Sequence, residues 1–358
     1  MEYGPKLLAA LQAVVDAEGS DLVLTIGSYP LIRVDGNIGP ATGLPVVDEE
    51  MMHEVLAELL DPEQRADFIR DRDIDFAFSF GPYRLRGNAF FQRNRPTLSL
   101  RLLYPSIPTF EEIGLPESVQ ELAGLKQGLV LFTGPTGCGK STSLATLIES
   151  INETRRCQIL TIEDPIEFLH ENRAAVVHQR EVGFDAMSFA RALKAALRED
   201  PDVVLVGEMR DPESMAITLT LAETGHLVFS SLHTNDAPQA LDRIVDSFPA
   251  DQQAQIRLQV ASTISGIVAQ RLVPCIGGGL VAAYEVLIAT SAVRNLIREG
   301  KTRQLRNAMQ MGLNQGHCTL EMSLNKLVDE GVITFDDAVS TAFVPHEVDP
   351  TLSPLLAN

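Results

Sequence analysis

The chain has 358 residues, 45% hydrophobic and 22% charged, with 29 Lys and Arg against 48 Asp and Glu, so its formal net charge is −19. That is globular composition sufficient for about two domains, and its acidity disfavours wholesale attraction to nucleic acid or anionic lipid, so any anion site must be local. No apolar run approaches the ~18 residues of a membrane span, the N-terminus lacks the basic region and cleavage site of a signal peptide, and the four cysteines (Cys138, Cys157, Cys275, Cys318) form no Cys-x-x-Cys pair; the expectation is a cytoplasmic protein with reduced thiols, no zinc knuckle, no disulfide framework and no direct membrane insertion.

Helical spacing of apolar residues over 5–17 is followed by two short strands, 21–27 and 30–36, around a Ser28-Tyr29-Pro30 turn. A helix over roughly 48–70 comes next, and then three alternating segments, 73–80, 83–92 and 97–103, so that residues 1–103 make an α+β domain. Three prolines and Gly114 mark 104–116 as a linker. From Gly128 onward strands and helices alternate: a strand into a glycine-rich loop, a helix over 140–152, a strand at 157–163, a helix over 185–199, a strand ending near Glu208, a helix over 212–223 and a strand at 226–232. This order implies an α/β fold with a mostly parallel sheet between helices. Beyond about residue 250 the chain reads as mainly helical, interrupted by a strand-like stretch at 279–289; the second domain spans 117–345 and a proline-containing tail, 346–358, is expected to be flexible.

Gly134-Pro135-Thr136-Gly137-Cys138-Gly139-Lys140-Ser141 fits G-x-x-x-x-G-K-[ST] between an apolar strand and a helix. Three glycines let the backbone wrap a phosphate with its N–H groups, and the following helix adds the positive end of its dipole. Lys140 is expected at the β- and γ-phosphates of ATP, Ser141 on Mg²⁺ and Thr142 at the α-phosphate. Cys138 in the loop wall reads either as a small tolerated residue or as a thiol acidified by Lys140 and the loop amides.

The strand before Glu208 ends in Gly207, where many P-loop enzymes place an aspartate for the magnesium shell. Glu208 is therefore the leading candidate to polarise the attacking water, and Glu163, after the strand at 157–163, is its rival for the water or for Mg²⁺. His226 and His233 flank one strand, with His233 at its C-terminal edge and able to donate to the γ-phosphate. From Phe76 to Phe110 there is no Asp or Glu, yet Arg84, Arg86, Arg93, Arg95 and Arg101 fall there. Period two puts Arg84 with Arg86 on one face, and Arg93 with Arg95 if extended, so a basic surface is expected. It reads as arginine fingers for a nucleotide on this or a neighbouring subunit, as nucleic-acid contacts, or as a solvated sheet face.

Together these segments resemble the secretion ATPases of type II and type IV systems from about residue 20 to 340. The phosphate loop GPTGCGKST is similar to their Walker A, TIEDPIEF (161–168) to their Asp box, LREDPDVVLVGEMRD (197–211) to their Walker B and TLAETGHLVFSSLHTN (220–235) to their His box. AVRNLIREGKT (292–302), by itself an amphipathic helix burying Val293, Leu296 and Ile297, is similar to a C-terminal segment of the PilT-like retraction ATPases of type IV pili. The extra N-terminal domains and tetracysteine zinc site usual in assembly ATPases have no counterpart. The resemblance implies a homohexameric ring of PAS-like N-terminal and RecA-like C-terminal domains with nucleotide between them. It would power pilus retraction and twitching motility from the cytoplasmic face of the inner membrane, docked on the platform protein of the pilus machine. It maps Lys140 and Ser141 to phosphate and Mg²⁺, Glu208 to the catalytic glutamate, Glu163 to the Asp-box acid, His226 and His233 to the His box, and Arg86, Arg93 and Arg101 approximately to the arginine region. Three departures are visible: Val23 where the family often has histidine, Cys138 for a usual serine, and Ser230-Ser231 for a Gly-Thr pair.

Overall fold

The structure, a computed structural model, describes residues 3–34, 36–103 and 106–352. It divides into two compact units, Met1–Ser106 with Glu167–Leu169, and Ile107–Ile166 with His170–Asn358. Positions 104 and 105, the start of the expected linker, and 353–358, the end of the expected tail, lie outside the described residues.

In the first unit, strands β1 (Asp21–Thr25), β2 (Leu31–Val34), β3 (Asn37–Pro40), β4 (Asp73–Phe80), β5 (Tyr83–Gln92) and β6 (Arg95–Leu103) form an antiparallel sheet in the order β3-β2-β1-β6-β5-β4. One face is apolar: Leu22, Leu24, Phe76, Phe78, Leu85, Leu98 and Leu100 pack against Leu7, Leu11 and Val14 of helix Pro5–Asp16 and Met52 and Val55 of helix Glu49–Leu59. Gly87 lies opposite Phe76, and a Cβ there would come within 2.3 Å of the ring. The short strand β3 escapes a pattern search because Asn37-Ile38-Gly39-Pro40 has no alternation.

The single helix expected over 48–70 is two helices, Glu49–Leu59 and Pro62–Asp71. The break is chemical. Asp61 accepts from the backbone N–H groups of Glu63 and Gln64 while Gln64 returns a bond to the Asp61 N–H, and Pro62 sits in the first turn, where its missing N–H costs nothing. Arg93 and Asn94 have φ of 49° and 61° and close a two-residue hairpin between paired Gln92 and Arg95. Arg93 therefore occupies a turn tip and does not share a strand face with Arg95.

The second unit holds β7 (Gly128–Thr133), β8 (Gln158–Glu163), β9 (Val176–Glu181), β10 (Val203–Val206), β11 (Leu227–Leu232), β12 (Ile264–Pro274) and β13 (Leu280–Ile288), in the order β13-β12-β7-β11-β10-β8-β9. All neighbours run parallel except β12 with β13. All six residues of β7 are buried because helices cover both faces. Val130 and Phe132 meet Leu144, Leu147 and Ile148 of helix Lys140–Thr154, whereas Leu129 and Leu131 share a cluster with Met215 and Leu219 of helix Pro212–Glu223 and Leu241 and Ile244 of helix Ala237–Asp246.

Two of these strands lie where the pattern pointed elsewhere. β9 is a half-exposed edge strand with little apolar signal. β12 falls in the stretch expected to be helical; nine consecutive register pairs with β13 and a parallel run beside β7 hold it extended. Within the stretch expected as a tail, Val348 is 2% exposed in a small core with Leu320, Leu324 and Ile333.

Candidate active site

In a parallel sheet the loops after the strand ends share one edge. Here the loop 134–139 follows β7, His233 follows β11, Glu208 lies just past β10, and Glu163 ends β8. The strands run side by side in that order, so at ~4.8 Å per strand the phosphate loop and Glu208 are anchored on strands roughly 10 Å apart.

The loop is shaped by its glycines and by β12. Gly134, Gly137 and Gly139 have φ of 145°, 79° and 86°, which L side chains rarely adopt. A Cβ on Gly134 would meet the Gln270 carbonyl oxygen at 2.5 Å, and one on Gly139 the Gln270 amide at 2.8 Å. Gln270, 3% exposed, backs the loop and accepts from the Ser143 hydroxyl at 2.9 Å. Lys140 donates to the carbonyls of Gly134 (2.8 Å) and Pro135 (3.0 Å), so its ammonium is folded over the loop. No side chain caps the helix that starts at Lys140, which leaves its positive end to the loop.

Cys138 is buried, and burial pushes its thiol above the usual range despite Lys140 and Arg271 nearby. Both its burial and the raised thiol support the reading of Cys138 as a small residue of the loop wall.

Glu208 is held from two sides. Arg210 donates from Nε at 2.6 Å to one carboxylate oxygen and His233 Nε2 lies 3.2 Å from the other. Arg210 also reaches Asp164 at 3.4 Å, and its hydrogen bond to Glu208 raises its own pKa. Sequence reasoning passed over Arg210, although its place two residues after Glu208 was the available signal. Glu163 accepts from Thr161 Oγ1 (2.6 Å) and Gln179 Nε2 (3.3 Å). At Gly207 the chains approach closely: a Cβ there would lie 3.3 Å from the backbone of Ile162 and Glu163.

His226 is elsewhere. It precedes β11, its Nδ1 donates to the Leu221 carbonyl (2.9 Å), and its own carbonyl takes the Gly128 N–H at the opposite edge of the sheet. The six residues of β11 separate it from His233, seven steps or about 23 Å at ~3.3 Å per residue. The structure does not bring it together with Glu208.

In the first unit, register places Arg33, Asp21, Arg101 and Arg86 directly opposite one another across β2, β1, β6 and β5. Asp21 takes Arg101 at 2.9 Å and Arg33 at 3.4 Å, so the basic surface expected from the acid-free stretch is partly neutralised by a residue from outside it. Arg86 and Arg93 are exposed.

Among the described residues no group of three or more His, Cys, Asp or Glu could hold a metal. An ion at this edge would need phosphate oxygens beside the protein's own, and the exposed Ser141 hydroxyl at the first helical turn is an oxygen donor of the kind Mg²⁺ takes, so the residues fit.

A glycine-lined phosphate loop on a RecA-type sheet, with a glutamate and a histidine paired on the neighbouring strand ends, defines a P-loop ATPase. A family model for type II/IV secretion system proteins matches residues 69–279. The type IV pilus retraction ATPase PilT of Pseudomonas aeruginosa is 45% identical over 91% of this chain and 95% of its own length, and the type IV pilus ATPase PilU of the same organism 42% over 93% and 87%. A type II secretion system protein E of Xanthomonas campestris is 41% identical, but over only 46% of this chain and 27% of its own length. The crystal structure of the pilus retraction motor PilT with bound ADP superposes with a TM-score of 0.91 at 45% identity, covering 96% of this chain and 99% of that one. The ATPase DotB of Legionella pneumophila reaches 0.77 at 26% identity over 94% and 96%. The chain belongs to the type II/IV secretion system protein family and is a nucleotide-binding ATPase.

Proposed function

We propose that the chain is the ATP-hydrolysing subunit of a homohexameric motor that retracts type IV pili and so drives twitching motility. The observation that carries the chemistry is Glu208, bonded by Arg210 and His233 at the same sheet edge as the Lys140 loop. Gly134 to Gly139 wrap the phosphates with backbone N–H groups, Lys140 leaves its loop carbonyls for phosphate oxygens, and Thr142 supports the α-phosphate. Ser141, with Glu163 nearby, would hold Mg²⁺, whose charge offsets that of the phosphates. Glu208 orients and deprotonates water, and His233, touching Glu208, is set to respond when the γ-phosphate leaves. Arg86, Arg93 and Arg101 are the candidate fingers, with Arg101 tied to Asp21 and therefore the least free of them.

Similarity along nearly the whole length of a pilus retraction ATPase, against a quarter of a secretion protein E, supports retraction over assembly or secretion. The motor would work at the cytoplasmic face of the inner membrane on the platform protein of the pilus machine; among the described residues no helix is long and apolar enough to cross a membrane. The test is steady-state ATPase activity and solution mass of wild type and Glu208→Gln with ATP and Mg²⁺, followed by surface-pilus retraction in cells. We expect a hexamer whose turnover falls at least ~100-fold in the variant while ATP still binds. A monomer with turnover untouched by the substitution would sink both the motor and the role of Glu208.

A further inference from the structure

The first unit holds a cavity of about 560 Å³ between helices Glu49–Leu59 and Pro62–Asp71 and the hairpin of β5 and β6. Its walls are apolar: Leu56 from the first helix, Phe68 and Ile69 from the second, and Phe91 from β5. The rings of Phe68 and Phe91 stack at 4.8 Å between centroids, and the Arg72 guanidinium lies 4.6 Å over the Phe91 ring. Ile69 is 64% exposed on a helix that is otherwise largely polar. The rim is charged. Arg95 reaches Glu49 at only 3.9 Å, with both side chains more than half exposed. Among the described residues Arg65 has no carboxylate partner and donates to the Asp61 carbonyl at 3.4 Å, whereas Arg70 of the same helix is held by Asp67 at 2.8 Å and Asp71 at 2.6 Å. His53 stands beside them as a further donor.

In a chain of net charge −19, two guanidinium groups and a histidine set against one loosely paired carboxylate make a local anion site. Arginine is suited to a carboxylate because its N–H fork matches the two oxygens, and a long, exposed ion pair such as Arg95 with Glu49 is readily exchanged for a ligand. The stacked phenyl rings offer an aromatic or aliphatic body a wall to pack on, and the volume lies in the range of small-molecule sites. A bare anion would leave the apolar wall in water, and an uncharged apolar molecule would leave the arginines unused. We infer that this cavity binds a small amphipathic carboxylate, an apolar ring or chain bearing one carboxyl group. Its body rests on Phe68, Phe91 and Ile69, and its carboxylate meets Arg65 and Arg95. Asn94 and Arg95 line the cavity from the hairpin whose tip also holds Arg93, so occupancy restrains that turn. The site is independent of the ATPase reading, because no residue of the phosphate loop takes part in it.

The experiment titrates the full chain with naphthoate, decanoate and uncharged naphthalenemethanol by calorimetry, and maps each complex by amide hydrogen exchange. At least one carboxylate is expected to bind and to protect amides within 49–71 and 91–95, and the tighter of the two tells a ring site from a chain site. Naphthalenemethanol should bind about tenfold more weakly than naphthoate, for want of the charge-assisted bonds. Arg65→Gln should weaken the carboxylate about tenfold and leave the alcohol where it was, a control that the cavity is still formed. Ile69→Asp, at an exposed position, should weaken the carboxylate further by placing a like charge at the cavity. Failure of both carboxylates to bind, equal losses for acid and alcohol in Arg65→Gln, or protection at the Lys140 loop in place of 49–71 overturns the site. So does protection of 49–71 that appears without ligand and grows with protein concentration, which would assign this face to contact between copies of the chain.

Discussion

In the proposed mechanism Glu208 takes a proton from water, and the residue that holds its carboxylate in place is Arg210, with its 2.6 Å bond. Because Arg210 also touches Asp164, it aligns the acids that follow β10 and β8. Arg210→Ala should therefore lower kcat about tenfold, less than loss of the glutamate itself, with nucleotide affinity preserved; steady-state kinetics beside equilibrium ADP binding would check it. A second carboxylate behaves oppositely. Glu285 is 1% exposed on β13 and accepts the N–H of Ala237, the first residue of the helix after the His233 loop. Burial pushes its pKa up to about 7 from 4.5, with Asp236 and Glu321 adding to the rise and the Ala237 bond and Arg306 opposing it. The folded state thus holds this proton more tightly than the unfolded one, so its stabilising contribution is full below about pH 4.5 and lost as pH rises through about 7. Glu285→Gln keeps the acceptor for Ala237 and removes the charge. It should match wild type near pH 5 and exceed it at pH 8 by on the order of 1–3 kcal/mol in denaturant unfolding.

At the scale of elements, breaks and edges decide more than propensity. The interruption between Glu49–Leu59 and Pro62–Asp71 depends on one reciprocal cap, so Asp61→Ala should cost about 1 kcal/mol of stability, measured as a lower denaturation midpoint at unchanged slope. β12 illustrates the converse. Its eleven residues, Ile264–Pro274, pair with β7 as far as Ala269 and with β13 from Gly266 onward, and the overrun past β7 supplies both Gln270 behind the phosphate loop and Arg271 in the adjoining cleft. The helix Ser291–Arg298, in the segment similar to the retraction ATPases, buries Val293 and Ile297 as its periodicity requires. Arg294 is spent on backbone, donating to the carbonyls of Ala261, Ser262 and Ala289, which locks this helix to the C-terminal end of Gln253–Thr263.

For the whole molecule, ligand binding and stability are linked. A nucleotide that binds only the folded chain stabilises it by about 2.7 kcal/mol at a hundredfold excess over Kd. Excess ADP should raise the thermal midpoint of wild type and leave that of Lys140→Ala in place; an equal rise in both would remove Lys140 from the phosphate site.

The phosphate loop, the glutamate after β10 and the parallel alternation from Gly128 were legible in the residues because each depends on local chemistry: glycines that tolerate positive φ, a strand buried on both faces, a lysine at a helix start. The cap at Asp61 was written there too, in Asp-Pro-Glu-Gln, but helical periodicity on either side masked it. Only the tertiary structure decided the rest. β12 is a strand because β7 and β13 flank it, and no window of its own residues carries that information. Arg101 is neutralised by an aspartate eighty positions away. His226 and His233, so close in sequence, end at opposite edges of the sheet because an extended strand carries them apart, while Arg271 and Phe343, seventy-two positions apart, share one cleft.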